Sequence, residues 1–215
     1  ATGWKPYDAT KLGHLGFGKV PNVINNVMME RYASKHGPTE GKIIRPSDGN
    51  PVETVAFVQC AGSRDENHLA HCSSVCCLAS LKQAKYVREA NPDAKVYIFY
   101  IDIRTPGKYE EFAAKVQEDP NITLVKGKVA KVVESVGQKV KIEAEDILHG
   151  GKIDAEVDLV VLATGMESSL RGDEALPNAV TLDANGFVAP NLQKPGRYSA
   201  GVAKLPADVN SSIKD

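Results

Sequence analysis

The sequence predicts an α/β fold: a Rossmann-like nucleotide-binding domain with a mainly parallel sheet and an added β-hairpin. Three observations carry that expectation. Apolar runs rich in β-formers at 54–59, 95–102, 122–125 and 157–162 alternate with helical patterns, the βαβαβ order of a parallel sheet. Val157-Asp158-Leu159-Val160-Val161-Leu162 is apolar at nearly every position, as expected of a strand covered on both faces. Val55-Ala56-Phe57-Val58-Gln59 runs into Cys60-Ala61-Gly62-Ser63, a strand-to-turn junction of the kind that holds ligands at the carboxyl end of such a sheet.

A chain of 215 residues has room for one domain with extra elements, or for one domain and part of another. Its apolar fraction of 42% supports a packed core. No apolar run approaches the roughly 20 residues of a membrane span, and no charged-then-apolar leader opens the chain, so direct membrane insertion is not expected. Net charge is −1 with both signs mixed throughout, which points away from nucleic acid and anionic membrane surfaces. Peripheral docking onto a membrane-bound partner subunit stays open. Four clustered cysteines without a secretion signal argue for a reducing, cytoplasmic setting, where such a cluster is more often metal-binding or redox-active than a structural staple.

Ala1-Thr2-Gly3-Trp4 has no initiator Met, and Ala163-Thr164-Gly165-Met166 repeats it after the strand at 157–162. The simplest account is a segment excised from a longer polypeptide, cut just after the strand that should precede Ala1. Residues 5–20 read as an extended connection. Pro21 opens a helix over 21–35, with Val23, Ile24, Val27, Met28 and Tyr32 at three- and four-residue steps, and Gly37-Pro38 ends it. Ser47-Asp48-Gly49-Asn50-Pro51 is a turn cluster before the first core strand at 54–59. The next helix starts at Ser73 or Ser74, either a good N-cap, and runs to Ala90 before Asn91-Pro92.

A strand at 95–102, a helix at 108–117 and a strand at 122–125 follow. A β-hairpin joins 129–134 to 139–144, with Val140, Ile142 and Ala144 on one face. Regular structure is thin after Arg171: a turn before a short strand at 182–188, a strand at 198–202, and a helix starting at Asp208. The expected organisation is a connecting segment with one helix over 1–50, the nucleotide-type domain with the cysteines over 51–166, and a returning segment over 167–215.

All four cysteines lie in one strand-turn-helix unit: Cys60, Cys72, Cys76 and Cys77, spaced C-x11-C-x3-C-C. That spacing matches neither a paired CxxC zinc ribbon nor a bacterial ferredoxin run. A helix brings Cys72 and Cys76 to one side, while Cys77 is rotated by about 100° from Cys76, so one regular helix cannot aim all three at a point. Ligands for a shared centre would come from the loop-to-helix transition, with Cys60 reaching across from the strand end. The residues leave other readings beside a cluster: zinc with His68 or His71, a thiol/disulfide pair, or plain buried cysteines.

A nicotinamide site would need glycines where Cys60-Ala61-Gly62-Ser63 stands, and only Gly62 is there. Asp102, at the place of a ribose-binding acid, then reads as a loop anchor. Arg64 and Arg104 leave strand ends, either toward a cluster or into surface salt bridges with Asp65 or Glu66.

The order of motifs resembles a known family. Two Ala-Thr-Gly stretches enclosing a nucleotide fold, followed by Gly196-Arg197-Tyr198-Ser199-Ala200-Gly201, resemble flavoproteins of the thioredoxin reductase type. Four further stretches are similar to the flavin-carrying A chain type of heterodisulfide reductase and to the related A and B subunits of the quinone-interacting membrane-bound oxidoreductase complex of sulfate respiration. They are Pro21-Asn22-Val23-Ile24-Asn25-Asn26; Gly41-Lys42-Ile43-Ile44-Arg45-Pro46-Ser47-Asp48-Gly49; Gln59-Cys60-Ala61-Gly62-Ser63-Arg64-Asp65 with the later cysteines; and Asp102-Ile103-Arg104-Thr105-Pro106-Gly107-Lys108-Tyr109.

The resemblance implies an electron-transfer subunit that passes electrons between FAD, an iron-sulfur cluster of the 4Fe-4S type and other subunits of a redox complex. Cys60, Cys72, Cys76 and Cys77 match the family's cluster positions. Gly201, Val202, Asp208 and Asn210 fall where such proteins approach FAD, with Val202 standing in place of the usual Asp after Gly201. The region 167–215 then becomes the start of the returning FAD domain, and the main FAD turn belongs to a part of the protein before Ala1. A structural domain with zinc or thiols, and an NAD(P)H-dependent oxidoreductase fragment, are the competing expectations.

Overall fold

The computed structural model describes residues 3–172 and 180–215. Ala1 and Thr2 of the first Ala-Thr-Gly stretch lie outside them. In chain order the elements are β1 (Trp4–Pro6), β2 (Val23–Asn25), α1 (Asn26–Ala33), β3 (Thr54–Ala61), α2 (Cys76–Ala90), β4 (Lys95–Tyr100) and α3 (Tyr109–Gln117). They continue with β5 (Ile122–Lys126), β6 (Val129–Glu134), β7 (Val140–Glu145), β8 (Lys152–Val157), β9 (Leu159–Thr164), β10 (Met166–Ser168) and α4 (Val209–Lys214). The chain divides into two units: Asp8–Ala61 with Cys76–Thr164, and Ala1–Tyr7 with Gly62–Val75 and Gly165–Asp215.

The first unit is built on a five-stranded parallel sheet in the order β2-β9-β3-β4-β5. The strands β3, β4 and β5 step outward to one side, and the chain then returns to place β9 on the other side of β3. That reversal is the topological switch point of a nucleotide fold, where ligands sit at the carboxyl strand ends. The interior strand β9 is apolar because both its faces are covered: every one of its residues is buried. Val55 and Phe57 of β3 share a core with Leu81, Ala84 and Val87 of α2, together with Ile98, Leu159 and Val161.

The expected hairpin is one half of a three-stranded antiparallel meander, β6-β7-β8. Val140, Ile142 and Ala144 are buried on one face of β7, as the alternation predicts. The third strand takes Val157 out of the predicted core strand. Asp158 breaks the run because its side chain accepts the N–H groups of Glu53 and Thr54, at 2.9 Å each.

The predicted helix over 21–35 is corrected at its start. Val23 and Ile24 form β2 and pair in parallel with Val160 and Val161; their β-branched side chains suit a strand, and the open edge of β9 is there to take them. Asn25 caps α1 by accepting the Met28 N–H at 2.9 Å. Residues 5–20 are more ordered than an extended connection, with 3-10 turns at Ala9–Lys11 and Gly13–Leu15 and Leu12 and Leu15 buried.

In the second unit, β1 pairs antiparallel with β10, so the residues that follow the two Ala-Thr-Gly stretches are partners: Trp4 with Ser168 and Pro6 with Met166. Leu182 bridges Val188 around the predicted turn. The strand expected at 198–202 is absent among the described residues. Gly201–Ala203 is a 3-10 turn instead, because Gly201 has φ +53° and Lys204 N–H folds back onto its carbonyl. The helix expected at Asp208 is α4, which Asp208 caps through the Ser211 N–H.

Candidate metal centre

Strand β3 continues past its predicted end, and Cys60 lies within it. Val58 pairs with Leu162 and Ala61 with Thr164, so β3 carries one more residue than β9 over that stretch, a β-bulge. Cys60 accommodates the extra residue at φ +54°. The left-handed conformation costs a residue with a Cβ roughly 1–2 kcal/mol, and a bulge re-aims the side chains around it. Cys60 is half-buried at the switch point.

Helix α2 starts at Cys76, three residues after Ser73 and two after Ser74, and Cys76 and Cys77 occupy its first turn as expected. Both are buried. The Cys76 thiol points to the Thr164 carbonyl at the end of β9, and the Cys77 thiol to the Asp102 carbonyl just past β4, each at 3.7 Å. Because β9 and β4 flank β3, the two thiols lie on either side of the end of β3, and Cys60 is on that strand. The positive end of a four-turn helix favours thiolates at this position.

The other cysteine belongs to the second unit. Cys72 Sγ accepts the Ser74 N–H at 3.4 Å, with Ser74 at φ +62°, so a local turn already presents this sulfur with a donor. Ser73 does not cap α2 as predicted. Its hydroxyl is the acceptor for Met166 N–H at 2.8 Å and lies 3.0 Å from Ser63 Oγ. Gly165 is what makes room: a Cβ there would stand 1.9 Å from Ser63 Oγ and 2.4 Å from Ser73 Oγ. The second Ala-Thr-Gly therefore ends in glycine for a packing reason.

Each histidine offered as a zinc ligand has one ring nitrogen engaged inside the chain, while His71 Nδ1 is buried without a partner. His68 Nδ1 is 2.8 Å from the Tyr7 hydroxyl, and His71 Nε2 is 2.9 Å from the Met166 carbonyl, with its ring edge-to-face on Phe187. Arg104 pairs with Asp102 at 3.3 Å, a salt bridge with a partner other than the expected Asp65 or Glu66.

All four cysteines stand as thiols. Among the described residues, no three His, Cys, Asp or Glu side chains are arranged to hold a metal ion. In donor type, Cys60, Cys76 and Cys77 are what an iron-sulfur group takes, and all three stand at the carboxyl end of β3 or in the first turn of α2. Binding requires the Cys76 and Cys77 sulfurs to turn from their carbonyl acceptors, since a thiolate has no proton to give them. Two buried polar side chains close to these cysteines in the chain lack hydrogen-bond partners. Gln59, next to Cys60, is buried with both amide atoms unpartnered, and so is the hydroxyl of Ser80, one turn along α2. Sequence reasoning missed both, although a glutamine closing an apolar strand beside a cysteine was a visible signal.

The four residues expected near FAD lie around the start of α4. The Gly201 N–H is donated to Asp215 Oδ2 at 2.9 Å, and Asp208 is held by Ser211 through both backbone and hydroxyl. The Ser211 N–H, the largest influence on it, holds the Asp208 carboxyl below the usual aspartate range. Val202 is half-buried and Asn210 exposed. With two of their polar groups engaged inside the chain, these four do not by themselves make a flavin site.

No family model matches the chain. Solved structures similar in fold include the HOCl-induced flavoprotein disulfide reductase RclA from Escherichia coli, with TM-score 0.57 at 10% identity over 100% of this chain and 41% of that one. The thioredoxin reductase of T. acidophilum gives 0.53 at 16% identity over 99% and 59%. The nucleotide-fold class and its thioredoxin reductase type are thereby found as expected.

Among curated proteins, the chain is 42% identical over 99% of its length to the A-type subunit of the ferredoxin:CoB-CoM heterodisulfide reductase of Methanosarcina mazei. It is 37% identical over 99% to the A-type subunit of the H(2):CoB-CoM heterodisulfide,ferredoxin reductase of Methanothermobacter thermautotrophicus. It is 36% identical over 99% to an A-type iron-sulfur subunit of the CoB-CoM heterodisulfide reductase of Methanopyrus kandleri. The chain spans about a third of the length of these relatives, 28% to 34%. From its first strand to its last helix, then, this chain is homologous to a segment of the A-type subunit of heterodisulfide reductase.

Proposed function

We propose that the chain is the nucleotide-fold portion of an electron-transfer flavoprotein subunit of the heterodisulfide reductase A kind. In it, Cys60, Cys72, Cys76 and Cys77 hold a 4Fe-4S cluster where a related reductase would hold a pyridine nucleotide. The observation that carries the reading is the bulged, left-handed Cys60 at the switch point, with Cys76 and Cys77 in the helix turn on either side of it. Cys72 joins the set on its place in the sequence motif. When bound, the cluster supplies one-electron acceptance and release. The residues of the chain supply thiolates, a helix terminus that favours their charge, and a partly water-excluded position.

In the longer protein we place the cluster-bearing domain over 51–166 and a flavin-domain return over 167–215, with FAD bordered by Gly201, Val202, Asp208 and Asn210. The partners are other redox subunits of the same complex. Among the described residues no helix is long and apolar enough to cross a membrane; we place any contact with a membrane in such a partner. The quinone-interacting relatives of the sequence motifs would supply one.

The test is anaerobic reconstitution of the full-length subunit with iron and sulfide. A broad absorption near roughly 400 nm and an increment of about four irons per chain that depends on these cysteines are expected. Serine at Cys60 or Cys76 should remove that increment and leave the flavin content unchanged. Bound zinc, or four titratable thiols with no iron increment, overturns the reading.

A further inference from the structure

The face of β3 that α2 covers ends in polar groups that have no task in the fold. Val55 and Phe57 pack against Leu81, Ala84 and Val87. Side chains two apart on a strand share a face, so Gln59 extends this face toward the carboxyl end of β3. On α2, Ser80 follows Cys76 by four residues and Cys77 by three and precedes Ala84 by four, which puts it on the stripe joining the cysteine turn to that core. Gln59 is 7% exposed and Ser80 0%. Neither the Nε2 nor the Oε1 of Gln59 has a hydrogen-bond partner, and neither does Ser80 Oγ.

Leaving such a group unpaired in the interior costs roughly 1–3 kcal/mol. An apolar side chain would fill either place without that cost. A neutral thiol is a poor acceptor, so these donors have little to bond while the cysteines stand as thiols; a sulfur carrying negative charge is a much better one. Gln59 adjoins Cys60 on β3, and Ser80 lies one turn along α2 from Cys76 and Cys77.

We propose that Gln59, through its amide N–H, and Ser80, through its hydroxyl, donate hydrogen bonds to the sulfurs of the iron-sulfur group held at Cys60, Cys76 and Cys77, and thereby raise its reduction potential. The inference rests on the cluster reading above. An arriving electron adds negative charge to the sulfurs, so donors aimed at them stabilise the reduced form more than the oxidised one. Gln59 and Ser80 tune the group and do not ligate it.

The experiment uses the full-length protein, loaded anaerobically, with Gln59→Leu and Ser80→Ala made separately and together. Iron and sulfide per chain are measured alongside an EPR-monitored redox titration of this cluster. We expect unchanged iron content and, for the double variant, about a tenfold shift of the redox equilibrium toward the oxidised form, about 59 mV lower for a one-electron couple. The iron-free variants should be at least as stable as the parent, since each loses an unpaired buried group. Unchanged potentials in iron-loaded variants overturn the assignment while leaving the cluster in place; so does lower stability of the iron-free variants, which would give the pair to an internal water. A parent protein that takes up no iron at these cysteines fails earlier and sinks the cluster reading itself. The two single variants are read independently, so failure of one to fold leaves the other as the test.

Discussion

Asp158 joins the starts of two neighbouring strands with one carboxylate. Its Oδ2 accepts the N–H groups of Glu53 and Thr54 at 2.9 Å and the Thr54 hydroxyl at 3.0 Å, while Oδ1 faces Arg45 and Lys139 at 3.7 Å. Replacing it by Asn leaves an uncharged amide oxygen to accept the two N–H groups and turns the amide NH2 toward the cations in place of their anion. Asp158→Asn should therefore cost about 2–4 kcal/mol, read as a lower urea midpoint at unchanged slope. Gly165→Ala should cost about 1–3 kcal/mol by forcing a methyl onto Ser63 and Ser73. Adding Ser63→Ala should recover part of that loss, because the two changes share one contact. Some of this detail could be read in advance. Asp208 three residues before Ser211 announced a helix cap. The left-handed turn at Cys60 could not be read, because a cysteine carries no signal for positive φ and the extra residue in β3 is defined only against β9.

At the scale of elements, the second half of α2 is fastened by Arg88. Its Nε donates to Asp119 Oδ2 at 2.8 Å and its Nη1 to the Ala94 carbonyl at 2.8 Å, tying the helix end to the turn before β5 and to the turn before β4. The Arg88 hydrogen bond, the largest influence, holds the Asp119 carboxyl below the ordinary aspartate value of 3.8. A carboxylate whose folded pKa is depressed adds stability above the unfolded value, and loses it as pH falls through the folded one. Asp119→Asn should thus cost about 1 kcal/mol or less at pH 7, since the group is solvent-screened, and nothing at a pH well below 3.8. Urea titrations of parent and variant at both ends check this. Helix α2 was readable from its apolar period and the Asn91-Pro92 stop. Two elements were not. Val23 and Ile24 satisfy a helical period as well as a strand, and only the edge of β9 decides between them. Strand β8 follows two glycines with alternating charged and half-buried residues, too weak a pattern to separate from a loop.

At the scale of the whole molecule, the sheet unit rests on a few fully buried side chains, among them Phe57, Leu81, Ile98 and Leu159. Leu81→Ala should cost about 2–5 kcal/mol and lower the thermal midpoint of the unit accordingly. The αβ alternation was legible because each βα step leaves a local signature. The pairing of Trp4–Pro6 with Met166–Ser168 was not, since three residues carry no period and their partners lie at opposite ends of the chain. The candidate site was legible in its cysteines and hidden in its orphaned glutamine. The position of β3 has one more outcome. One of its neighbours, β4, follows within the next turn of the fold, but the other is β9, with Val55 opposite Leu159. While the polypeptide is still emerging from the ribosome, its most oily ribbon therefore waits with one flank bare for nearly the whole of this stretch. Truncations that stop short of residue 157 should clump in the cell, where the same chain carried through residue 164 stays in solution.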